Sequence, residues 1–437
     1  MKREETMKLR NVALVTLLAG TAFASSALAA EPLKIWMRYG DNEKAVLEAF
    51  TKAFTEKTGI QLDVFLANLD FETRLARAAV GGTLPDVILN DATAMGQMNE
   101  MGILKEIDRA SIEGGDKLLD VSWDSMRAPD GKYYGVPFSA QAFGLFVRKD
   151  WREKLGYPVP KTWDDLYELA KAFTTKDPDG NGKDDTYGYV MALSPTRGYA
   201  SWFLSDLIWQ SGGEFLASKN GGFASSLATP EVERAIGYAR KMVCDGYAQP
   251  GAITSTTGET TPVFNSGQAG IYRSGPYHIA AFDKEPGKDK FEVISPPAGP
   301  AGVAELAEGT SAFITAGTQN EAAAKTFIAF LVSKEGQEIG MGSLSPNAQP
   351  IVRLSVNKDV NTGEVYKDPR WETFAQLYAT SAHYFPQVPN WQPIRQMTAD
   401  GFNAILSDCS SDIGAELKTL DETVDQELTR QNVLAND

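Results

Sequence analysis

Tyr133-Tyr134-Gly135-Val136-Pro137-Phe138-Ser139-Ala140-Gln141-Ala142-Phe143-Gly144-Leu145-Phe146-Val147-Arg148-Lys149-Asp150 is the stretch around which the chain is organised. Pro137 fixes its own φ, offers no N–H to a ladder and biases Val136 towards extended backbone, so the chain arrives stretched and changes direction here. Leu145-Phe146-Val147 is a short, continuous apolar run, the pattern of a strand buried on both faces of a parallel sheet. Between Pro137 and that run, Ser139, Ala140, Gln141 and Ala142 are small or neutral and polar, where the chain passes from one folding unit to another.

Strand and helix alternate on both sides of this stretch. Upstream, Leu33 to Met37 reads as a strand, and Asp41 caps a helix whose Val46, Leu47, Phe50 and Phe54 recur at helical spacing until Gly59 stops it. Ile60 to Leu66 is a second strand. A helix through Phe71, Leu75 and Ala78 ends at Gly81-Gly82, and Pro85 to Leu89 is a buried strand that stops at Asn90-Asp91. This alternation predicts a parallel sheet with right-handed crossovers, a type of sheet that binds ligands beyond the carboxyl ends of its strands. Arg38, Tyr39, Asn90 and Asp91 fall at that mouth. Downstream, Thr162 and Asp165 form a capping box, Tyr187 to Leu193 is strand-like, Pro230 opens a helix running to Cys244, and Ala269 to Ser274 returns as a strand. Phe291 to Ser295 and Ala312 to Thr315 are further strands, and beyond Asn320 the pattern is helical.

At the beginning of the chain, Lys2, Arg3, Lys8 and Arg10 precede an apolar run from Val12 to Phe23 and the small-x-small site Ala27-Leu28-Ala29, the three parts of a secretory signal over residues 1–29. The expected mature protein is periplasmic, and no cysteine follows the cut to take a lipid. The 57 acidic residues outnumber the 42 basic ones, for a formal net charge of −15. Removing those four basic residues together with Glu4 and Glu5 takes the charge to about −17, which repels nucleic acid and anionic lipid. The two cysteines, Cys244 and Cys409, are an even pair in an oxidising compartment, compatible with one disulfide or with two unpaired buried thiols. His278 and His383 are the only histidines, so a three-histidine zinc site is excluded.

Two constellations could carry chemistry. In Asp177-Pro178-Asp179-Gly180-Asn181-Gly182-Lys183-Asp184-Asp185, oxygen-bearing positions at Asp177, Asp179, Asn181 and Asp185, with Lys183 offering its carbonyl and Gly182 at the turn, follow the calcium loop of an EF-hand. The twelfth position is Gly188 where a bidentate Glu is usual. An acidic, glycine-rich turn between helix and strand fits equally, and bound Ca2+ would be structural. The second constellation is aromatic: Tyr39, Tyr199, Trp202, Tyr277 and Trp391 lie near strand ends or helix starts, with Asp91, Gln141 and Arg197 as polar neighbours. Saccharides need ring faces for their C–H surfaces beside hydrogen-bonding groups for their hydroxyls, although core packing accounts for any one of these aromatics taken alone. No G-x-S-x-G, H-E-x-x-H, Walker loop or dinucleotide fingerprint occurs.

Taken together, several segments resemble the extracellular solute-binding proteins of carbohydrate-uptake ABC transporters, the family of maltose-binding protein. They are Leu33-Lys34-Ile35-Trp36, Gly82-Thr83-Leu84-Pro85-Asp86-Val87, Tyr134 to Phe138 with Lys149-Asp150, Lys161 to Leu166, Trp209 to Gly213, Phe264 to Ile271 with Ser274-Gly275-Pro276-Tyr277, and Ala322 to Ile328. The resemblance implies an α/β, two-lobed periplasmic-binding-protein fold (type II), each lobe a mostly parallel sheet flanked by helices, closing on a ligand between them. The implied lobes are residues 30–138 with 283–334, and 139–282 with 335–437. Carried over position by position, the ligand contacts are Arg38, Tyr39, Asn90, Asp91, Gln141 at the first crossing and Tyr277; Arg197 joins them as a polar neighbour of the aromatics, and Thr310 by its place in the late-strand motif. The family's Gly-Gly-aromatic is here Glu308-Gly309-Thr310, which removes one stacking face, and Trp391 is the compensating candidate. The implied function is capture of a carbohydrate by a monomer and its delivery to permease subunits. A secreted glycoside hydrolase or a sensory sugar-binding protein is the alternative.

Overall fold

The computed structural model describes residues 31–67, 70–345 and 348–436; the export signal expected over 1–29 lies outside the described residues. β1 (Leu33–Met37) pairs in parallel with β2 (Leu62–Leu66) and, on its other edge, with β3 (Val87–Asp91), which sets Ile35 opposite Val87 and Met37 opposite Leu89. Those apolar residues face a core with Val46, Leu47, Phe50 and Phe54 of the helix Lys44–Thr58. Gly59 ends that helix at φ 75°, a left-handed turn that a Cβ would strain. β4 (Val136–Gln141) is the far edge of this sheet, and all six of its residues are buried.

Only Ala142 and Phe143 separate β4 from β5 (Gly144–Arg148), which lies in a second sheet with β6 (Tyr187–Val190). The small run is therefore mostly strand, since Ser139, Ala140 and Gln141 end β4, and the passage itself falls two residues later than the sequence suggests. A hairpin, β7 (Leu216–Lys219) and β8 (Gly222–Ser225), turns on Asn220 and Gly221, both at positive φ, an Asn-Gly signal for this kind of turn. β9 (Ala269–Ser274) and β10 (Phe291–Ile294) complete the second sheet in the order β10-β5-β9-β6. β11 (Glu305–Leu306) then leads into β12 (Glu308–Ile314), which returns to the first sheet between β3 and β4, giving β2-β1-β3-β12-β4. β13 (Ala382–His383) pairs in parallel with β11.

Each sheet contains one reversed strand. β12 is antiparallel to β3 and β4, and β5 is antiparallel to β9 and β10. The parallel surroundings expected for Leu145-Phe146-Val147 are thus corrected. Burial on both faces is as expected, but a continuous apolar run carries no information on direction. The lobe ranges also shift. β10 hydrogen-bonds to β5, so Phe291–Ile294 sits with the second sheet rather than in 283–334. Ile351, Val352, Leu354 and Val356 join the first core, Leu354 bridging Ala140, so the chain after 334 first covers the first sheet. Phe385, Val388 and the helices Trp391–Ser407 and Ile413–Arg430 join Val232, Ile236 and Phe203 in the second core. Strand membership is decided by pairing over more than 100 residues, which local periodicity does not encode.

Cys244, ending the helix Pro230–Cys244, and Cys409 are joined in a disulfide with Cα atoms 5.9 Å apart. At the crossings, Arg273 of β9 is fully enclosed. It meets Glu305 of β11 at 2.7 Å and Asp206 of the helix Tyr199–Gln210 at 3.2 Å, and its guanidinium carbon lies 5.0 Å from the Phe143 ring and 5.3 Å from Trp202. Burial pushes both carboxyls up while Arg273 pulls them back. The return crossing is therefore tied to the second sheet by charge as well as by backbone.

In the Asp177–Asp185 loop, the Asp177 carboxylate accepts from the backbone N–H groups of Gly180, Asn181 and Gly182 at 3.0–3.1 Å. Asn181 Nδ2 donates to Asp179 and Asp185. Lys183 uses its N–H to meet Asn181 Oδ1. Among the described residues no three His, Cys, Asp or Glu side chains form a metal-holding group.

Candidate functional site

The first sheet ends in a row of polar side chains because β3 and β12 run past each other there: Asp91 lies opposite Thr310, and Asn90 opposite Ser311. Arg38, just past β1, makes an ion pair with Asp91 and sits 3.4 Å from Glu72. Tyr39 donates its hydroxyl to the Ile351 carbonyl at 3.2 Å and also meets Thr310, and burial raises its pKa. Asn90 is fully buried, with Oδ1 accepting from the Asp91 N–H at 2.8 Å and Nδ2 without a partner. A buried donor left unmet costs roughly 1–3 kcal/mol unless another molecule satisfies it.

Gln141 closes the row at the first crossing. It is buried, donates to Glu308 at 3.2 Å and accepts from Arg353. Glu308 stands where the family pattern has a glycine. Its carboxylate accepts from Trp202 Nε1 at 3.0 Å, which links β12 of the first sheet to the helix Tyr199–Gln210 of the second. Burial raises the Glu308 pKa, with Arg395 and Arg353 drawing it back down. Gly309 remains glycine because a Cβ there would overlap the Ser139 carbonyl oxygen.

From the second sheet, Tyr277 follows β9 with 39% of its surface open. It folds over Gly275, where a Cβ would collide with the ring, and the Arg353 guanidinium carbon lies 5.5 Å from its centroid. Burial around its hydroxyl pushes the Tyr277 pKa up to about 12. His278 supports this platform: Nδ1 is 2.6 Å from Ser274 Oγ and Nε2 is 3.2 Å from Thr261 Oγ1. Burial lowers its pKa to about 4, so the ring is neutral near pH 7. Arg395, of the helix Trp391–Ser407, lies along Gly198, and burial lowers its pKa against the attraction of Glu308. Arg197 is exposed at φ 54° and repels Arg395.

Arg38, Tyr39, Asn90, Asp91, Gln141, Tyr277 and Thr310 therefore come together from both sheets, with Arg197 at the rim. Trp391 does not. It is 5% exposed, stacked on Phe385 at 4.9 Å and edge-on to Phe215, so the compensating role proposed for it is corrected: its apolar neighbours place it in the second core. Glu308, Arg353 and Arg395 were missed as contacts. Glu308 was visible only as a departure from a pattern, Arg353 sits in an irregular segment without periodicity, and Arg395 looks like any polar position of an amphipathic helix.

Two sheets joined by crossing segments, with convergent aromatic and hydrogen-bonding side chains between them, define a two-lobed ligand-binding protein. Residues 39–338 match the bacterial extracellular solute-binding protein family, and the chain belongs to it. The chain is 29% identical over 322 residues to the Bacillus subtilis polygalacturonan/rhamnogalacturonan-binding protein YtcQ, covering 68% of this chain and 61% of that one. It is 25% identical over 312 residues to a Streptococcus pneumoniae maltooligosaccharide ABC transporter solute-binding lipoprotein, covering 68% and 67%. Among solved structures, the cyclic α-maltosyl-1,6-maltose binding protein from Arthrobacter globiformis superposes with a TM-score of 0.76 at 21% identity, over 91% of this chain and 99% of that one. That likeness speaks for the two-lobed fold.

Proposed function

We propose that this protein is the substrate-binding component of an ABC importer, capturing a carbohydrate between its two sheets and handing it to membrane permease subunits. The observation that carries the reading is the Trp202–Glu308–Gln141 chain of hydrogen bonds beside the open face of Tyr277. It sets ring surface next to paired donors and acceptors contributed by both sheets, which is what a sugar requires. Relatives named for oligosaccharide and polygalacturonan binding support the same reading. The protein acts by binding and closure rather than by catalysis, as a periplasmic monomer released from its export signal without a lipid anchor.

Mass spectrometry of the ligand retained on gentle purification, followed by calorimetry across a glycan panel, tests the proposal. At least one saccharide should bind with a Kd in the micromolar range or tighter and be recovered unaltered after long incubation. A folded protein silent to the whole panel would overturn the carbohydrate reading, and a cleaved sugar would overturn the non-catalytic one. Mass spectrometry of the exported protein reads the remaining terms, a free N-terminus near residue 30 against a lipid-modified one.

A further inference from the structure

Arg353 and Arg395 both act on Glu308, Arg197 stands beside Arg395, and Asp91 is the second carboxylate that Arg395 feels. Arg353 reaches Gln141 and lies over Tyr277. Arg395 packs along Gly198, and Arg197 stands beside it. Among the described residues none of the three has a carboxylate within ion-pair distance, whereas Arg38 is paired with Asp91 and Glu72. Glu308 is drawn by both Arg353 and Arg395 and is already committed to Trp202 and Gln141. Glu308 is engaged and Asp91 is held by Arg38, so Arg353, Arg395 and Arg197 leave a local cationic surplus in a chain whose formal net charge is −15.

Partly buried cations such as Arg353 and Arg395 are costly without a close counter-ion, and a planar guanidinium matches a carboxylate or sulfate with two parallel hydrogen bonds. We infer that the cleft selects an acidic saccharide, one whose ring carries a carboxylate or sulfate that Arg353 and Arg395 receive, while Tyr277 takes the ring face. This inference rests on the carbohydrate reading and deepens it by naming the charge of the ligand.

The test is calorimetry on the full mature chain with galacturonate, mannuronate and guluronate trisaccharides, each beside its methyl ester, together with a sulfated trisaccharide and neutral maltotriose. At least one acidic trisaccharide should bind ten-fold or more tightly than its neutral counterpart, and that preference should shrink between 0.05 M and 0.5 M NaCl. The uronate and sulfate arms tell the two anions apart. Arg353→Gln and Arg395→Gln, with circular dichroism to confirm folding, should each lower acidic-ligand affinity ten-fold or more and methyl-ester affinity by a clearly smaller factor, and an equal loss for both ligands overturns the inference. Neutral sugars binding as tightly as acidic ones overturns the inference and leaves the carbohydrate reading standing; silence to every saccharide overturns both.

Discussion

Arg273 and the pair Arg353 and Arg395 are chemically identical side chains in opposite situations. Arg273 is sealed at the crossings between Glu305 and Asp206, under the rings of Phe143 and Trp202. Arg353 and Arg395 stand in the cleft with one shared, already engaged carboxylate. The sealed ion triad anchors β11 to β9 and to the helix Tyr199–Gln210, so its charges are matched from within the chain. The cleft arginines are matched only in part, so their remaining interaction energy is available to a ligand. Charges satisfied internally hold the fold, and charges left over mark the site.

The largest expected effect tests the sealed side of this contrast. Arg273→Ala leaves Glu305 and Asp206 enclosed without a counter-ion, and breaking a buried pair from one side costs on the order of 3–5 kcal/mol. Urea unfolding should show that loss, while Arg395→Gln should cost under about 1 kcal/mol. Equal losses for the two variants would dissolve the distinction between structural and site arginines.

A smaller effect comes from His278, which supports Tyr277 from below. Its folded pKa of about 4 lies under the ordinary 6.5. Between these values the unfolded chain binds a proton that the native ring refuses, so stability falls as pH drops through 6.5 and levels off below about 4. Between pH 7.5 and 5 the loss should be roughly 2 kcal/mol. His278→Gln, which keeps a hydrogen-bonding group towards Ser274, should remove that part of the acid sensitivity in urea titrations at the two pH values. An unchanged pH dependence would mean that the imidazole titrates in the native state.

The sequence reveals these two regions unequally. Strands Leu33–Met37 and Ala269–Ser274, the capping box at Thr162 and the helix from Pro230 to Cys244 are all found where periodicity and cap chemistry predict them, because those signals are local. The strand-end residues Arg38, Asn90 and Asp91 follow from the topology of parallel sheets. Nothing local places Arg353 beside Gln141, 212 positions away, or sends Phe291–Ile294 to the second sheet. Trp391 shows the opposite error: its type and position suit a sugar platform, but the packing of Phe385 and Phe215 claims it for the core.

Gly96 extends the comparison to the contact between the two halves. It lies in the helix Met95–Glu100 beyond β3, and a Cβ there would overlap the carbonyl oxygen of Val388, a residue of the second core. Gly96→Ala should hold the two halves apart and lower ligand affinity by about ten-fold, since a ligand then spends part of its binding free energy on closure. Calorimetry reads the affinity, and small-angle scattering with saturating ligand should show a larger radius of gyration than the parent. Unchanged values for both would mean that the contact plays no part in closure.

The smallest effect is expected at the Asp177–Asp185 loop, whose side chains bond one another and the turn's backbone. The Asp177 carboxylate already receives three backbone N–H groups, and Asn181 joins Asp179 to Asp185. A calcium ion would share those carboxylate oxygens with the turn's own donors. Addition of 5 mM Ca2+ or of EDTA should leave the thermal midpoint within about 1 °C, the shift expected from roughly 1 kcal/mol of stabilisation in a chain of this size. A calcium-dependent rise of several degrees, abolished by Asp177→Asn, would show that an internally satisfied cluster can still recruit a cation. Hydrogen-bond satisfaction would then no longer distinguish the structural clusters of this protein from its binding site.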